Sequence, residues 1–225
     1  SGDTLVHGMA VAEPPALLAA LAEAVREGKR DGLKVYSMLS QAHAAQTILA
    51  PDLAASIESR SWFVSGLNRN LISVGLNDFV PNYFHQIPRL CREFMEIDCA
   101  VTTVSPMDKA GYFTFGVAND FTSAAVRCAK KVIVEVNQNM PRVFGDSLVH
   151  ISEVDAVVEH HVPLLEVKTR EAKPEAEGIG RHIAELVPDG ATIQIGYGAL
   201  PDAITRYLEN HRDLGIHTEV FGDGL

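Results

Sequence analysis

A short glycine-containing loop near the end of the sequence has the composition of a binding site for an anionic group. In IQIGYGALPDAI, Gly196 and Gly198 follow a predicted strand and precede a predicted helix. Glycine permits positive φ angles and a close approach of ligand to backbone. Amides in the first turn of a helix attract negative charge, and Pro201 is compatible with that turn. A phosphate of a nucleotide-like ligand fits this pattern, but so does a plain tight turn, since the spacing is not that of the dinucleotide GxGxxG motif.

A glutamate in the next predicted strand is the second chemically interesting group. Glu219 lies in GIHTEVFGDG, between Thr218 and Val220. Ligands of open α/β sheets bind beyond the carboxyl ends of the strands, so we expect the glycine loop and Glu219 to border one cleft. Partial burial in a strand would raise the pKa of the carboxyl group and make the carboxylate more nucleophilic. The alternative is an edge-strand glutamate that faces water.

Alternating strand and helix patterns supply the elements that position these residues. Val- and Ile-rich runs alternate with amphipathic segments, which favours an α/β fold with a mainly parallel sheet and helices on both faces. The predicted strands are 4–9, 33–39, 61–66, 78–84, 98–104, 132–136, 191–197 and 215–221, with a turn and short strand within 105–116. The predicted helices are 14–27, 41–59, 87–96, 119–129, 174–186 and 200–210.

A faint internal repeat indicates a duplicated architecture. GDTLVHGMAVAEPPALLAAL, which begins at Gly2, and GATIQIGYGALPDAITRYL, which begins at Gly190, both contain a glycine, a strand, a small-residue loop, a proline and an apolar helix. The strands that follow also correspond, because LKVYSML from Leu33 matches LGIHTEVF from Leu214. Self-similarity of this kind predicts two copies of one supersecondary unit.

The repeat predicts both a domain boundary and a distinction between the two copies. We expect a first α/β domain at 1–187 and the start of a similar domain at 188–225, with the charged segment 171–180 near the boundary. The remainder of the second domain would lie outside the sequence. The repeat aligns Met38 with Glu219, so the carboxylate belongs to one copy only and is not an obvious requirement of the fold.

Composition restricts the class of protein. The 225 residues are 47% hydrophobic and carry a formal net charge of -10, so no nucleic-acid or anionic-membrane partner is expected. No apolar run approaches the ~20 residues of a membrane span. Cys91, Cys99 and Cys128 form no CxxC pair, which favours reduced thiols and a cytoplasmic protein. No signal peptide is recognised, and we expect further residues upstream.

Four segments resemble the acetyl-CoA hydrolase/CoA-transferase family, and in particular its 4-hydroxybutyrate CoA-transferase branch. They are GATIQIGYGALPDAI, LGIHTEVFGDG, VSPMDKAGYFTFG and NMPRVFGDSLVH, and the similarity extends over nearly the whole chain. The resemblance implies a two-domain α/β enzyme with Glu219 as its nucleophile. A C-terminal domain is implied to supply further contacts to coenzyme A. The stretch implied to line the coenzyme A site is Gly196, Tyr197, Gly198, Ala199 and Leu200.

The activity implied by the resemblance is transfer of coenzyme A between a short-chain acyl-CoA and a carboxylate such as acetate. A glutamyl-CoA thioester on the enzyme would be the intermediate, and the kinetics would be ping-pong. Acyl-CoA would be a substrate, no permanent cofactor is expected, and the family suggests a homo-oligomer. Two alternatives remain open: an acyl-CoA hydrolase, in which water takes the intermediate, and a coenzyme A-binding fragment without activity of its own.

The histidines have weaker claims to function. His217 precedes Glu219 by two positions, so strand alternation places both on one face, where His217 either tunes the carboxylate or, as we prefer, packs or forms a hydrogen bond. His160 and His161 are adjacent, and neighbouring strand residues point to opposite faces. We therefore expect no metal site there.

The remaining polar candidates are interpreted as structural. Asp108 and Lys109 are expected to form a turn whose loop could reach the substrate, and Asp223 lies between two glycines in another predicted turn. Ser105 and Ser147 lack a surrounding GxSxG motif, which argues against a serine hydrolase.

Overall fold

The chain forms two compact units, Ser1–Leu165 (unit 1) and Glu166–Leu225 (unit 2). The computed structural model describes residues 2–166, 173–222 and 224–225. The predicted domain boundary followed residue 187, whereas the division by compactness lies between Leu165 and Glu166. The difference is the helical segment 174–186, which packs within unit 2.

Parallel pairing dominates unit 1. In chain order its strands are β1 (Thr4–His7), β2 (Leu33–Ser37), β3 (Ile57–Ser61), β4 (Asp78–Phe79), β5 (Cys99–Val104), β6 (Tyr112–Thr114), β7 (Val132–Val136), β8 (Leu148–His150) and β9 (Ala156–Glu159). Within the described residues, seven of them form one sheet in the order β4-β3-β2-β1-β5-β7-β9. Every neighbouring pair in that sheet is parallel, and β6 and β8 form a separate antiparallel pair. From β1, the chain adds β2, β3 and β4 on one side of the sheet and then β5, β7 and β9 on the other side.

Helices cover both faces of this sheet, which confirms the predicted fold class. They are α1 (Pro15–Arg26), α2 (Ala42–Gln46), α3 (Arg69–Ser73), α4 (Ile87–Glu93) and α5 (Thr122–Cys128). Leu5 of β1 lies in one core cluster with Leu18 of α1. Its neighbour Val6 points to the other face and shares a cluster with Ile87 of α4. The two-residue period of a strand thus explains why β1 reads as a continuous apolar run.

Unit 2 contains two helices and a pair of parallel strands: α6 (Pro174–Leu186), β10 (Thr192–Ile193), α7 (Ala199–Arg206) and β11 (Gly215–Ile216). Helix α6 packs closely against the end of α7, since a Cβ added at Gly180 would lie 2.9 Å from the ring of Tyr207. The Tyr207 hydroxyl donates a hydrogen bond to Glu177 of α6 at 2.6 Å. None of the helices in the described part of the chain is both long and apolar enough to cross a membrane.

The two strand pairs that the sequence repeat relates have the same register. Thr4 of β1 is paired with Lys34 of β2, and Thr192 of β10 is paired with Gly215 of β11. The repeat, derived from sequence, aligns Thr4 with Thr192 and Lys34 with Gly215. A shift of one residue would have placed the opposite side chains on the core face, so agreement of register is a specific correspondence.

The prediction of one long helix over 41–59 is wrong. Helix α2 ends at Gln46, a 3-10 turn spans Pro51–Leu53, and Ile57–Ser61 is strand β3. Proline lacks the backbone N–H that a continuing helix needs, which explains the interruption. The predicted strand 61–66 is also wrong, because the strand in this region is β3, which ends at Ser61.

Other strand predictions differ in length or were missed. The strand predicted at 78–84 is confined to Asp78–Phe79, and those at 191–197 and 215–221 are confined to Thr192–Ile193 and Gly215–Ile216. The prediction for 132–136 is confirmed in full. Strands β8 and β9 and helix α3 were not predicted.

Candidate active site

The glycine loop and Glu219 follow the carboxyl ends of two neighbouring parallel strands of unit 2. The backbone N–H of Gly215 donates to Ala191 at 2.9 Å, and that of His217 donates to Ile193 at 3.0 Å. Both strands therefore run in the same direction and end at the same edge. The predicted adjacency of the two strand ends is confirmed.

The loop after β10 has the backbone geometry that its glycines predict. Gly198 has a φ of 125° and occupies the N-cap position of α7. Glycine adopts this φ without strain, and it has no side chain that could compete for the first amides of the helix. Tyr197 is 69% exposed, and Leu200, in the first turn of α7, is 38% exposed. Pro201 lies in that same turn, as predicted.

A hydroxyl group joins the glycine loop to the segment that carries Glu219. Thr218 Oγ1 donates to the carbonyl oxygen of Ile195 at 2.7 Å and accepts from the N–H of Ile195 at 3.1 Å. Ile195 immediately precedes Gly196, and Thr218 immediately precedes Glu219. The two motifs are therefore fixed to each other through one side chain. Sequence analysis missed Thr218.

Glu219 lies beyond the strand, in a bend, and its side chain is exposed. The expectation that it is a partly desolvated strand residue is wrong for this chain, because β11 ends at Ile216. Strand alternation consequently does not relate His217 to Glu219. His217 is likewise exposed, so it does not pack in the core, and the hydrogen bond predicted as the alternative stays a prediction.

The chain after Glu219 folds back against helix α7. A Cβ added at Gly222 would lie 3.0 Å from Asp202 Oδ1, and one added at Gly224 would overlap the Thr205 hydroxyl. Gly224 thus permits this close approach, whereas a side chain at position 222 would require only a small shift of the Asp202 carboxylate. Asp223, predicted to form a turn, lies outside the described residues.

The adjacent histidines of unit 1 have different partners. His160 Nδ1 lies 2.7 Å from Glu135 Oε1, whereas His161 Nδ1 accepts a hydrogen bond from the N–H of Gln138 at 3.2 Å. Each ring therefore has a structural contact of its own, consistent with side chains that leave the backbone in different directions.

The predicted turn at Asp108 is confirmed. Its Oδ1 accepts hydrogen bonds from the backbone N–H groups of Tyr112 at 2.8 Å and Ala110 at 2.9 Å, and its Oδ2 forms an ion pair with Arg142. The Tyr112 N–H, together with Arg142, lowers the pKa of the Asp108 carboxyl group below its usual value. Both oxygens of this carboxylate therefore have partners, and these contacts stabilise the loop.

Two buried glutamates of unit 1 were missed by sequence analysis. Glu135 is fully buried, and its Oε2 accepts a hydrogen bond from the N–H of Leu17 in the first turn of α1 at 3.0 Å. Glu13 is 2% exposed and accepts from the N–H of Gln41 at 2.8 Å. Burial raises the pKa of Glu13 to about 7. The signal for Glu135 was its position inside the apolar run VIVEV, where a charge needs a partner.

The fold and the candidate site together define an α/β protein with a glycine loop and a carboxylate at adjacent ends of parallel strands. The family described as acetyl-CoA hydrolase/transferase N-terminal domain matches residues 1–166. Because that match covers more than half of the chain, the chain belongs to the acetyl-CoA hydrolase/transferase family. The resemblance stated from sequence is confirmed.

Curated relatives match the whole chain, including the site in unit 2. Succinyl-CoA:cyclohexane-1-carboxylate CoA transferase of Geobacter metallireducens is 40% identical over 100% of this chain and 50% of its own length. 4-Hydroxybutyrate coenzyme A transferase of Clostridium kluyveri is 38% identical over 98% of this chain and 51% of its own length. The chain therefore spans about half the length of the curated relatives that it matches.

A solved structure is closely similar in three dimensions. RipA from Yersinia pestis is 48% identical, with a TM-score of 0.96, over 100% of this chain and 54% of the RipA chain. The chain thus spans about half the length of RipA, and the family description that matches residues 1–166 is that of an N-terminal domain.

Proposed function

We propose that the protein is a CoA-transferase in which Glu219 is the covalent nucleophile. The observation that carries the proposal is the shared edge of β10 and β11, where Thr218 ties the glycine loop to the segment bearing Glu219. Family membership and two relatives named as CoA transferases support it. The substrates proposed are a short-chain acyl-CoA and a carboxylate of the 4-hydroxybutyrate or acetate type.

The chemistry requires only a carboxylate and the two substrates. The Glu219 carboxylate attacks the thioester carbonyl, the C–S bond breaks, and a mixed anhydride and the CoA thiolate are formed. The thiolate then attacks the glutamyl carbonyl, which releases the first acid and leaves glutamyl-CoA. An incoming carboxylate attacks this thioester, and the thiolate released attacks the new anhydride at its acyl carbonyl. The new acyl-CoA departs and the Glu219 carboxylate is regenerated.

The glycine loop is proposed to bind the coenzyme A portion of the substrate. Gly198 at the start of α7 leaves first-turn amides directed toward the loop, and such amides favour phosphate groups. The exposed ring of Tyr197 offers an apolar surface beside them. The residues proposed for this role are Gly196, Tyr197, Gly198, Ala199 and Leu200.

Unit 2 is proposed to be the beginning of a second α/β domain with the topology of the first. The agreement of register between the pairs β1–β2 and β10–β11 supports this, as does the order strand, helix, strand in both copies. The limits proposed for the two domains are 1–187 and 188–225, whereas the two compact units divide between Leu165 and Glu166. Cytoplasmic location stays a prediction from the cysteine pattern, and a homo-oligomeric state stays a prediction from the family resemblance.

Acyl-CoA hydrolysis is a second candidate activity, favoured by one observation. Glu219 is exposed in this chain, so water can reach an acyl or CoA intermediate formed on it. Transfer instead requires that the acceptor acid reach the intermediate before water does.

Exchange kinetics on the polypeptide encoded by the complete gene would test the proposal. With acetyl-CoA and a second carboxylate, ping-pong transfer predicts parallel double-reciprocal plots, and Glu219→Ala should abolish exchange. Glu209→Ala removes another exposed glutamate of unit 2 and is the matched control. Release of free thiol without any acceptor acid would identify the hydrolase, and exchange that survives in Glu219→Ala would exclude the proposed nucleophile.

A further inference from the structure

The pairing of β10 with β11 ends although the backbone groups of the next residues are in register to continue it. Gly215 N–H donates to Ala191 and His217 N–H donates to Ile193, so each rung advances by two residues on both strands. The next rung of a parallel ladder would run from the N–H of Glu219 to the carbonyl oxygen of Ile195. That oxygen instead accepts a hydrogen bond from the hydroxyl group of Thr218, with an O–O distance of 2.7 Å.

The same hydroxyl also occupies the other side of the ladder. The N–H of Ile195, which would continue the pairing to the carbonyl of His217, donates to Thr218 Oγ1 at 3.1 Å. One side chain therefore satisfies both polar groups of Ile195. Buried or half-buried backbone groups need such partners, so the strand can end here without an unsatisfied N–H or C=O on Ile195.

The end of the ladder determines where Glu219 lies. Because the hydroxyl has taken the rung that Glu219 would otherwise form, the backbone at Glu219 bends instead of continuing the strand. The Glu219 side chain is consequently exposed beside the loop that begins at Gly196. A continued strand would have kept Glu219 in the alternating pattern of the sheet.

The first copy of the repeat lacks this arrangement. Ser37 aligns with Thr218, but its hydroxyl accepts a hydrogen bond from Ser40 Oγ at 3.1 Å within its own loop. There β1 and β2 pair through Val6 and Tyr36, one residue pair further than the second copy. Met38, which aligns with Glu219, is buried at 7% exposure. The hydroxyl bridge thus accompanies the copy that has the carboxylate.

We propose that Thr218 is a positioning residue whose hydroxyl bridge to Ile195 ends the strand and holds Glu219 at a fixed place beside the glycine loop. This inference rests on the proposed role of Glu219 as nucleophile. Thr218 contacts the backbone and not the reacting atoms, so its effect is on the rate at which Glu219 is acylated rather than on the binding of coenzyme A.

Three variants of the polypeptide encoded by the complete gene would test the inference. Thr218→Val removes the hydroxyl at nearly constant volume, Thr218→Ser retains it, and Thr192→Val makes the same change on the partner strand as a control. The single-turnover rate of acylation of Glu219 by acetyl-CoA should fall about 10-fold to about 100-fold in Thr218→Val, as for a misplaced reacting group. Thr218→Ser should restore most of the rate, and the dissociation constant for coenzyme A should be the same in all variants.

Amide hydrogen exchange provides a readout that does not depend on activity. In Thr218→Val the N–H of Ile195 should exchange faster, and in Thr218→Ser it should regain its protection. Acylation at the wild-type rate in Thr218→Val, or a loss confined to coenzyme A affinity, would overturn the inference while leaving the proposed function intact. If wild-type Glu219 is not acylated, the proposed function fails, and unchanged exchange at Ile195 in Thr218→Val would then refute the bridge as well.

Discussion

The carboxylate of Glu135 lies 2.7 Å from Nδ1 of His160, and this contact joins β7 to the residue that follows the neighbouring edge strand β9. The second carboxylate oxygen accepts the N–H of Leu17, so the same side chain caps helix α1. Pro14, at the N-cap position of that helix, forms no side-chain hydrogen bond there. A fully buried glutamate thus replaces the local cap that the sequence lacks.

Removal of this carboxylate should destabilise unit 1. In Glu135→Ala the amide of Leu17 and the ring of His160 both lose a buried partner, and the expected loss is about 3 kcal/mol of the free energy of unfolding. Urea denaturation followed by circular dichroism would measure it. Asp52→Asn, which removes the exposed partner of Arg26, is the control and should change stability little. Equal effects of the two substitutions would contradict the assigned role of Glu135.

Stability should depend on pH through Glu13. Burial raises the pKa of Glu13 from its ordinary 4.5 to about 7, so the folded protein holds a proton that the unfolded chain has released. The contribution of Glu13 to the free energy of unfolding is fully present below about pH 4.5 and is lost as the pH rises through about 7. Relative to wild type, Glu13→Gln should therefore gain stability between pH 5 and pH 8, by a difference on the order of 3 kcal/mol.

Two other buried groups make that comparison with Glu13→Gln necessary. Burial raises the pKa of Asp120 to about 6, which gives the same direction as Glu13, and lowers the pKa of His7 to about 4, which gives the opposite direction. Wild-type stability alone would contain all three contributions. Thermal melts of both proteins across the pH range isolate Glu13, and a constant difference between them would show that Glu13 does not titrate on unfolding.

The two loop glycines should respond differently to alanine. Gly198 has a φ of 125°, so Gly198→Ala strains the backbone at the start of α7 although space for a Cβ is open. Gly196 has no such φ, and its added Cβ would lie 3.6 Å from Pro201, an ordinary contact. We expect Gly198→Ala to weaken coenzyme A binding and to cost roughly 1 kcal/mol in stability, with a smaller effect for Gly196→Ala. Calorimetric titration with coenzyme A would measure both, and identical affinities would contradict a role for the left-handed backbone.

The sequence was sufficient to predict the parallel α/β fold and the two strands that flank the candidate site. Buried strands such as VIVEV are continuous apolar runs, and helices such as α1 are rich in Leu and Ala, so local pattern and final structure agree there. The pattern failed at β9, where Ala156, Val157 and Glu159 are exposed at the edge of the sheet and show little periodicity. It failed at β3 because Glu58 and Arg60 made an alternating strand resemble an amphipathic helix.

Glu219 illustrates the limit for the candidate site. Its residue type and neighbours were enough to select it, but its surroundings depend on where β11 ends. At that end the hydroxyl of Thr218 is hydrogen-bonded to Ile195, which lies 23 positions earlier in the sequence, and no local propensity encodes such a long-range contact. Glu13 and Glu135 were missed for a similar reason, because their partners come from other elements.

The most direct test of the central claim is to map the covalent intermediate. The polypeptide encoded by the complete gene would be incubated with acetyl-CoA, trapped with hydroxylamine or borohydride, digested and analysed by mass spectrometry beside Glu219→Ala. The account predicts a modification confined to the peptide that contains Glu219 and lost in the variant. Tight binding of acetyl-CoA without modification of Glu219, or modification of another residue, would contradict it.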